Sequence, residues 1–369
     1  MARTVTRAFK FRFYPTPEQA EDLSRTFGCV RLVYNRMLEE RTRAYRCEGR
    51  SISYGESSAL LTQWKRTEDL AFLNEVSSVP LQQALRHLQS AFVNFWAKRA
   101  GHPVFKSKRK SRASAEYTRS AFRLKDRCLT LAKIAEPLDI VWSRPLPNGA
   151  EPTTVTVSRD AAGRWFVSVL CRETVTHLGP ARSTVGVDAG ITSLVTLSTG
   201  EKIANPRHER RDRHRLAKAQ RELSRKARGS KNRQKARLKV ARAHARVADR
   251  RRDFLHKLTT RLVRENQTVV IEDLAVGDLF GCRTLARAIS DAAWSELRTM
   301  LEYKSDWYGR RLVVVARRFP SSKLCSACGR RADTMPLHVR DWTCGGCGAT
   351  HDRDVNAAKN LLAAGLAES

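Results

Sequence analysis

Three carboxylates in this sequence stand where chemistry could use them. Asp188 follows an apolar run, Thr184-Val185-Gly186-Val187, and precedes Ala189-Gly190. An aspartate there is either a turn residue or a metal ligand at a strand end. Glu272 closes a second apolar run, Val269-Val270-Ile271, where a carboxylate is costly to desolvate without a cation. Asp273 beside it reads as a turn cap on the other face. Asp354 lies in HDRDVNAAKNLLAAG, at the first turn of a C-terminal helix. Capping that helix is its alternative role, and Asp352 fits the cap equally well. Brought together, the three charges would repel and raise one another's pKa. A pair of divalent cations about 4 Å apart removes that penalty and can serve in-line cleavage of a phosphodiester. Hard oxygen donors suit magnesium or manganese. No serine or cysteine nucleophile pattern competes, since the nine histidines are scattered and no G-x-S-x-G occurs.

Cysteine supplies a second chemistry. Cys325-x-x-Cys328 and Cys344-x-x-Cys347 are separated by fifteen residues, the spacing at which two knuckles deliver four thiolates to one tetrahedral zinc ion. Gly329, Gly345, Gly346 and Gly348 permit the tight turns. Four protein ligands leave no open position, so one structural zinc is expected. Arg330, Arg331, Arg340 and Trp342 give the ribbon a basic, aromatic surface suited to nucleic acid. For Trp342 itself, packing under the ribbon is an equal alternative to base stacking. Cys29, Cys47, Cys128, Cys171 and Cys282 read as incidental or buried thiols.

The chain carries 69 Lys plus Arg against 37 Asp plus Glu, a net charge of +32 over 369 residues. Such an excess calls for a polyanionic partner, nucleic acid before an anionic membrane. Residues 201–265 concentrate it, with 24 Lys or Arg against 7 Asp or Glu, and read as a basic helical hairpin turning at 229–231. At 41% apolar residues the chain can bury substantial cores, which excludes wholesale disorder. No run of about 18 apolar residues exists to span a bilayer. The basic start lacks a signal peptide's apolar stretch. A cytoplasmic, nucleoid-associated chain with no membrane partner is expected.

The elements that must position these residues follow from periodicity. Val5, Phe9, Phe11 and Phe13 share one side of a strand at 4–13. Thr16-Pro17-Glu18-Gln19 then reads as a capped helix start, with Leu23, Phe27, Val30, Val33 and Met37 at helical spacing. A second helix is predicted over 79–100, with Leu81, Leu85, Leu88, Phe92 and Trp96 on one stripe and Gly101 as its stop. Short strands follow from about 120 to 175, with a hairpin turn at 160–163. After a polar linker at 172–182, a strand pair around 184–200 and two buried-type strands at 268–274 and 311–316 build a further domain.

Taken in order, FRFYPTPEQ, FGCVRLVYN, FKSKRK, WSRPLP, VGVDAGITSL, HKLTTRLVRENQTVVIEDL, PSSKLCSACG and HDRDVNAAKNLLAAG resemble the blocks of the TnpB (OrfB) family over nearly the whole chain. These are transposon-encoded RNA-guided DNA endonucleases related to type V CRISPR effectors. The resemblance implies a multidomain α+β protein: a split β-barrel (wedge) domain at 1–15 and 119–175, and a helical recognition insert at 16–118. It further implies an RNase H-like (RuvC) α/β nuclease domain at 182–324 and 348–369, with the four-cysteine zinc ribbon at 325–347 contacting target nucleic acid. It places the catalytic, magnesium-binding roles on Asp188, Glu272 and Asp354, with Arg353 and Asn356 as active-site neighbours. It also implies a guide RNA from the transposon end and double-stranded target DNA cut beside a short adjacent motif. Tyr54, Ser77, Gln82, Gln83, Tyr117 and Thr118 are candidates to read that motif, with helix packing or surface exposure as the alternative for each. Ala189 stands where the family often has leucine, and AVGDLFGCR after Glu272 is less basic than usual. A nuclease-inactive, RNA-guided regulator of transcription is the second reading, and a strand-joining transposase the third. The intact carboxylate set favours cleavage.

Overall fold

The computed structural model describes residues 2–279, 281, 285–336 and 338–367; Cys282 therefore lies outside the described residues. Contacts divide the chain into two units, Thr4–Thr174 and Val175–Ser369, the latter with Met1–Arg3.

In the first unit, β1 (Ala2–Phe13) buries Phe9, Phe11 and Phe13 and turns Lys10 and Arg12 to the ring of Phe166, the period-two pattern expected. Thr16 and Gln19 form the capping box that starts α1 (Pro17–Glu48), and Gly49, at φ 61°, ends it. α2 (Tyr54–Trp64) opens with its own box from Ser53 and Glu56, and a 3₁₀ turn leads to α3 (Ser78–Trp96). Gly101 does not end α3. Lys98 takes a left-handed φ of 56° and turns the chain earlier. Trp96, expected on the buried stripe, is 56% exposed because it falls in this last turn. Val33, Met37, Leu61, Leu73, Leu81, Leu85 and Leu88 make the helical core.

The sheet of this unit runs β2-β6-β7-β1-β5, from β2 (Ala113–Thr118), β5 (Ile140–Val141), β6 (Glu151–Arg159) and β7 (Trp165–Thr176). β2 falls inside the 16–118 stretch expected to be helical, and it buries Ala115 and Tyr117. A separate pair, β3 (Phe122–Lys125) with β4 (Cys128–Leu131), adds Leu129 and Leu131 to the same core. The 160–163 turn closes β6 onto β7, with Gly163 at φ 79° donating to the Asp160 carbonyl.

The second unit's sheet has the order β10-β9-β8-β11-β12. β8 (Ser183–Ala189), β9 (Ser193–Leu197) and β10 (Lys202–Ala204) form an antiparallel meander. β11 (Asn266–Glu272) and β12 (Arg311–Val315) then lie parallel to β8. The crossovers are helical. Between β10 and β11 stand α4 (His208–Ser224) and α5 (Lys231–Glu265), the basic hairpin, turning over 225–230 rather than 229–231 because Ser230 caps α5 and Lys231 opens it. Between β11 and β12 run α6 (Val276–Leu279), α7 (Ala286–Ala292) and α8 (Trp294–Tyr308). A short hairpin of β13 (Asp341–Thr343) and β14 (Thr350–Asp352) precedes α9 (Arg353–Ala367). Among the described residues no helix is long and apolar enough to cross a membrane.

Candidate functional site

Strand alternation decides which way the carboxylates face. Val185 and Val187 of β8, with Val269 and Ile271 of β11, pack into the main core of the second unit. Gly186 and Val270 face the opposite side, where α9 lies. Two residues on, Asp188 and Glu272 therefore face α9 as well. Their strands are parallel neighbours with Val187 opposite Ile271, so both acids reach the carboxyl ends together. The connections diverge between β8 and β11, the place where open α/β sheets gather ligands.

α9 supplies the third acid because glycine lets it come close. A Cβ at Gly186 would stand 2.1 Å from the Ala358 carbonyl oxygen, and one at Gly365 would stand 2.5 Å from Val270. With Ala358 over Gly186, the helix start one turn earlier overhangs the strand ends. Asp352 proves to be the cap: its Oδ1 accepts from the Val355 amide at 2.9 Å, and Lys202 pairs with the same carboxylate. The Asp354 carboxylate is thereby left without capping work. Asp273 is held by Arg298 and Arg317, off the site as expected.

The electrostatics follow. Burial, then the charges of Glu272 and Asp354, push the Asp188 carboxyl well above the usual carboxylate range, while Arg353 and Arg340 pull it back. Burial alone raises Glu272. Asp188 feels the other two acids, yet the three stand looser than the cysteines: among the described residues the four sulfurs are the one set of three or more metal-ligating atoms lying within 4.8 Å of each other. Arg340 draws Asp354 to itself, Nη1 to Oδ1 at 3.2 Å. Sequence reasoning assigned Arg340 to a nucleic-acid surface. What it missed is the pairing of β13 with β14, which sets the Arg340 carbonyl 2.7 Å from the Arg353 amide and so beside Asp354.

Arg353 is turned to the Pro336 carbonyl, 2.8 Å away, though its charge reaches Asp188. Asn356 is 1% exposed and faces the ribbon: it accepts from the Ser326 amide at 2.8 Å and donates to the Leu324 carbonyl at 2.6 Å. Asn360, one turn on, donates to Ser321 and Leu324. These two side chains moor the ribbon to the helix that carries Asp354.

The ribbon is built of two matching knuckles. The Gly329 amide donates to the Cys325 carbonyl and the Gly348 amide to the Cys344 carbonyl, with the glycines at φ 74° and 73°. Cys325 and Cys347 sulfurs are 3.7 Å apart, as are Cys328 and Cys344. The amides of Gly346 and Cys347 lower the pKa of the Cys344 thiol, while hydrogen bonds from the neighbouring sulfurs raise that of Cys328, so the four thiols share protons in the absence of an ion. A cysteine cluster of this shape fits a structural zinc. His351 Nε2 lies 3.0 Å from the Cys325 sulfur, a neighbour the C-x-x-C spacing did not reveal. Trp342 packs on the His351 ring, centroids 5.0 Å apart, and is half-buried within the ribbon.

The six motif-reading candidates all sit in the first unit, but not as one surface. Tyr117 is 1% exposed, its hydroxyl against Thr26 and its pKa pushed up to about 12 by burial. A ring so enclosed does not reach DNA. Ser77 is buried just before α3, Gln82 is exposed, and Tyr54, Gln83 and Thr118 are half-buried. Tyr54 lies under the Arg86 guanidinium, 4.9 Å from its ring centre. Gln83 lines a small cleft with His87, Arg112 and Glu116.

Comparison with known proteins points one way. A family model described as "Probable transposase" (OrfB_IS605) matches residues 167–283, and one described as "Cas12f1-like, TNB domain" matches 294–361. A third, described as "Helix-turn-helix domain", matches 1–50, a stretch that here forms strand β1 and the single helix α1 with no turn between two helices. The chain is 72% identical to a Streptomyces pristinaespiralis protein named "Putative RNA-guided DNA endonuclease", covering 100% of this chain and 92% of that one. It is 33% identical to "Putative RNA-guided DNA endonuclease InsQ" of Escherichia coli (strain K12), covering 98% and 92%. In fold it resembles the protein of a Cas12f1-sgRNA-target DNA complex, with a TM-score of 0.59 and 14% identity over 97% of this chain and 98% of that one. The multidomain α/β fold is thus of the Cas12 kind, and the chain belongs to the TnpB (OrfB) family.

Proposed function

We propose that this chain is an RNA-guided DNA endonuclease whose hydrolytic centre is Asp188, Glu272 and Asp354. The observation that carries the reading is that buried Asp188 feels the charges of both Glu272 and Asp354, at the carboxyl ends of β8 and β11 and the start of α9. Acids held against their own repulsion fit hard divalent cations, two magnesium or manganese ions in this reading. When bound, the ions supply charge neutralisation at the scissile phosphate and activate the attacking water. Asp188 and Glu272 present their oxygens from fixed strand ends, Asp354 closes the set from the helix, and Arg340 and Arg353 add positive charge for the phosphate. The four cysteines hold one structural zinc, and Asn356 and Asn360 fix that ribbon's position.

The remaining parts follow the same reading. The antiparallel meander followed by two parallel strands, in the order β10-β9-β8-β11-β12, supports reading the second unit as an RNase H-like (RuvC) domain. The first unit's sheet, with its helical segment inserted after β1, serves as the wedge and recognition parts that bind guide RNA and read a short motif in target DNA. The surplus cations of α4 and α5 contact phosphates. Names of relatives at 72% and 33% identity agree.

The test is to purify the protein, sequence any RNA that comes with it, and present that guide with a target library of randomised flanks and magnesium. Cleavage beside a fixed motif, lost in Asp188→Ala with target binding retained, is the expected result. Guide-directed binding without cleavage in the unaltered protein would establish the regulator instead.

A further inference from the structure

A cavity of about 570 Å³ opens in the first unit between α1 and the end of α3. Its wall is aromatic and exposed, with Tyr45 at 68%, Trp96 at 56% and Phe95 at 36%. Phe92 stacks on Trp96 at 5.6 Å and 29°, and the His102 ring meets Phe92 and Phe95 edge-on at 5.6 and 5.2 Å. These contacts brace Phe92, Phe95, Trp96 and His102 against one another, with Tyr45 facing them across the cavity. Arg41 lines the same cavity, although it is only 7% exposed. Its Nη2 donates to the Ile52 carbonyl and to Gln89 Oε1, both at 2.6 Å, and its Nε has no partner. Glu56, whose charge it feels, is engaged by Arg50 at 2.7 Å. Arg46 adds a second guanidinium to the lining, and among the described residues no carboxylate lines it.

The Arg41 guanidinium lies over the Phe92 ring, 5.1 Å from its centre, but no anion pairs with it, so an anionic group entering the cavity would meet an uncompensated buried cation. Stacking faces beside guanidinium groups are the chemistry that receives a base and its phosphate. The volume lies in the range of small-ligand sites. A second copy of this chain is a poor occupant, since it would press two cationic faces together in a molecule of net charge +32. We propose that this cavity seats one unpaired nucleotide of a bound single strand, its base on Trp96 and Tyr45 and its phosphate toward Arg41 and Arg46. The inference rests on the nucleic-acid reading above and assigns it a site away from the carboxylates.

The probes are RNA and DNA hexamers carrying one 2-aminopurine, each also annealed as a duplex, titrated into the full chain. Single strands should be quenched on binding. Trp96→Ala and Tyr45→Ala, both on exposed side chains, should abolish the quench and weaken binding roughly 5- to 100-fold, with the salt dependence unchanged. Whichever of the RNA and DNA arms responds names the strand. Equal quenching by both variants and the unaltered protein overturns the inference, as does equal quenching by duplexes. Sedimentation in which Trp96→Ala dissolves a dimer, with no change in fluorescence, overturns it in favour of self-association. Failure of the unaltered chain to bind any probe, or binding without a Trp96-dependent quench, removes the cavity alone, while the nuclease reading stands or falls with cleavage directed by the co-purified guide.

Discussion

Asp188 carries the tension of the proposed site. Its pKa is raised because burial and two neighbouring acids disfavour the ionised form. The folded state therefore holds the proton more tightly than the unfolded chain does. The destabilisation is absent below the ordinary aspartate value of 3.8 and grows as pH rises from there toward the raised folded value. Asp188→Asn removes the titration while keeping the shape. The variant should lose cleavage by at least roughly 10²–10³-fold, the scale of removing one electrostatic stabiliser. Without divalent ions it should melt higher than the unaltered protein at neutral pH, and the difference should vanish at low pH. Melting curves across pH with a chelator check this, and a lower melting point for the variant would remove Asp188 from the charge cluster. The cysteines make a separate prediction. Cys325→Ser should reduce bound zinc as measured by metal analysis, and an unchanged content would refute the ribbon as a four-sulfur site.

At the scale of elements, two glycines and two asparagines decide where α9 lies. Gly186→Ala places a methyl 2.1 Å from a backbone oxygen, which no side-chain rotation relieves. A loss of about 1–3 kcal/mol is expected, with cleavage impaired beyond that because Asp354 moves with the helix. Gly28→Ala, within α1 and with nothing inside 4 Å of the new carbon, is the control and should stabilise by about 0.5–1 kcal/mol. Denaturant unfolding of both variants tests the contrast. Asn356→Ala strips the Ser326 amide and the Leu324 carbonyl of their partner, at about 1–3 kcal/mol. The ribbon should keep its zinc while becoming more open to protease, since the cysteines are untouched.

Across the molecule, charge dominates. Seven acids cannot neutralise the 24 cations of residues 201–265, and α4 buries none of its side chains. Nucleic-acid affinity should therefore fall steeply with salt, with log K against log salt changing by about 0.7–0.9 for each phosphate contact. Replacing exposed Arg237 and Lys239 of α5 by glutamate should flatten that slope by one to two contacts in a filter-binding series. An unchanged slope would take the hairpin off the phosphate path.

Much of this was legible in one dimension. Local chemistry wrote the Thr16 capping box, the alternating phenylalanines of β1, the 160–163 turn, the basic hairpin and the two knuckles, because each depends on neighbours a few residues away. The three carboxylates were singled out there too, two because an acid ending an apolar strand is conspicuous and Asp354 because it opens the last helix, and the family blocks surround them. The contacts around them were not legible. That Asp352 caps and Asp354 does not, that Arg340 meets Asp354, that Asn356 serves the ribbon, and that Trp342 packs on His351 all depend on contacts made across the fold. So does Tyr117, which β2 carries into the core, and Trp96, which an early left-handed turn leaves in the open. Sequence by itself determined which residues could bear charge, bind metal or start a helix. Only the tertiary structure decided which of them meet, since burial and repulsion act through space between strands and helices that the chain order keeps far apart.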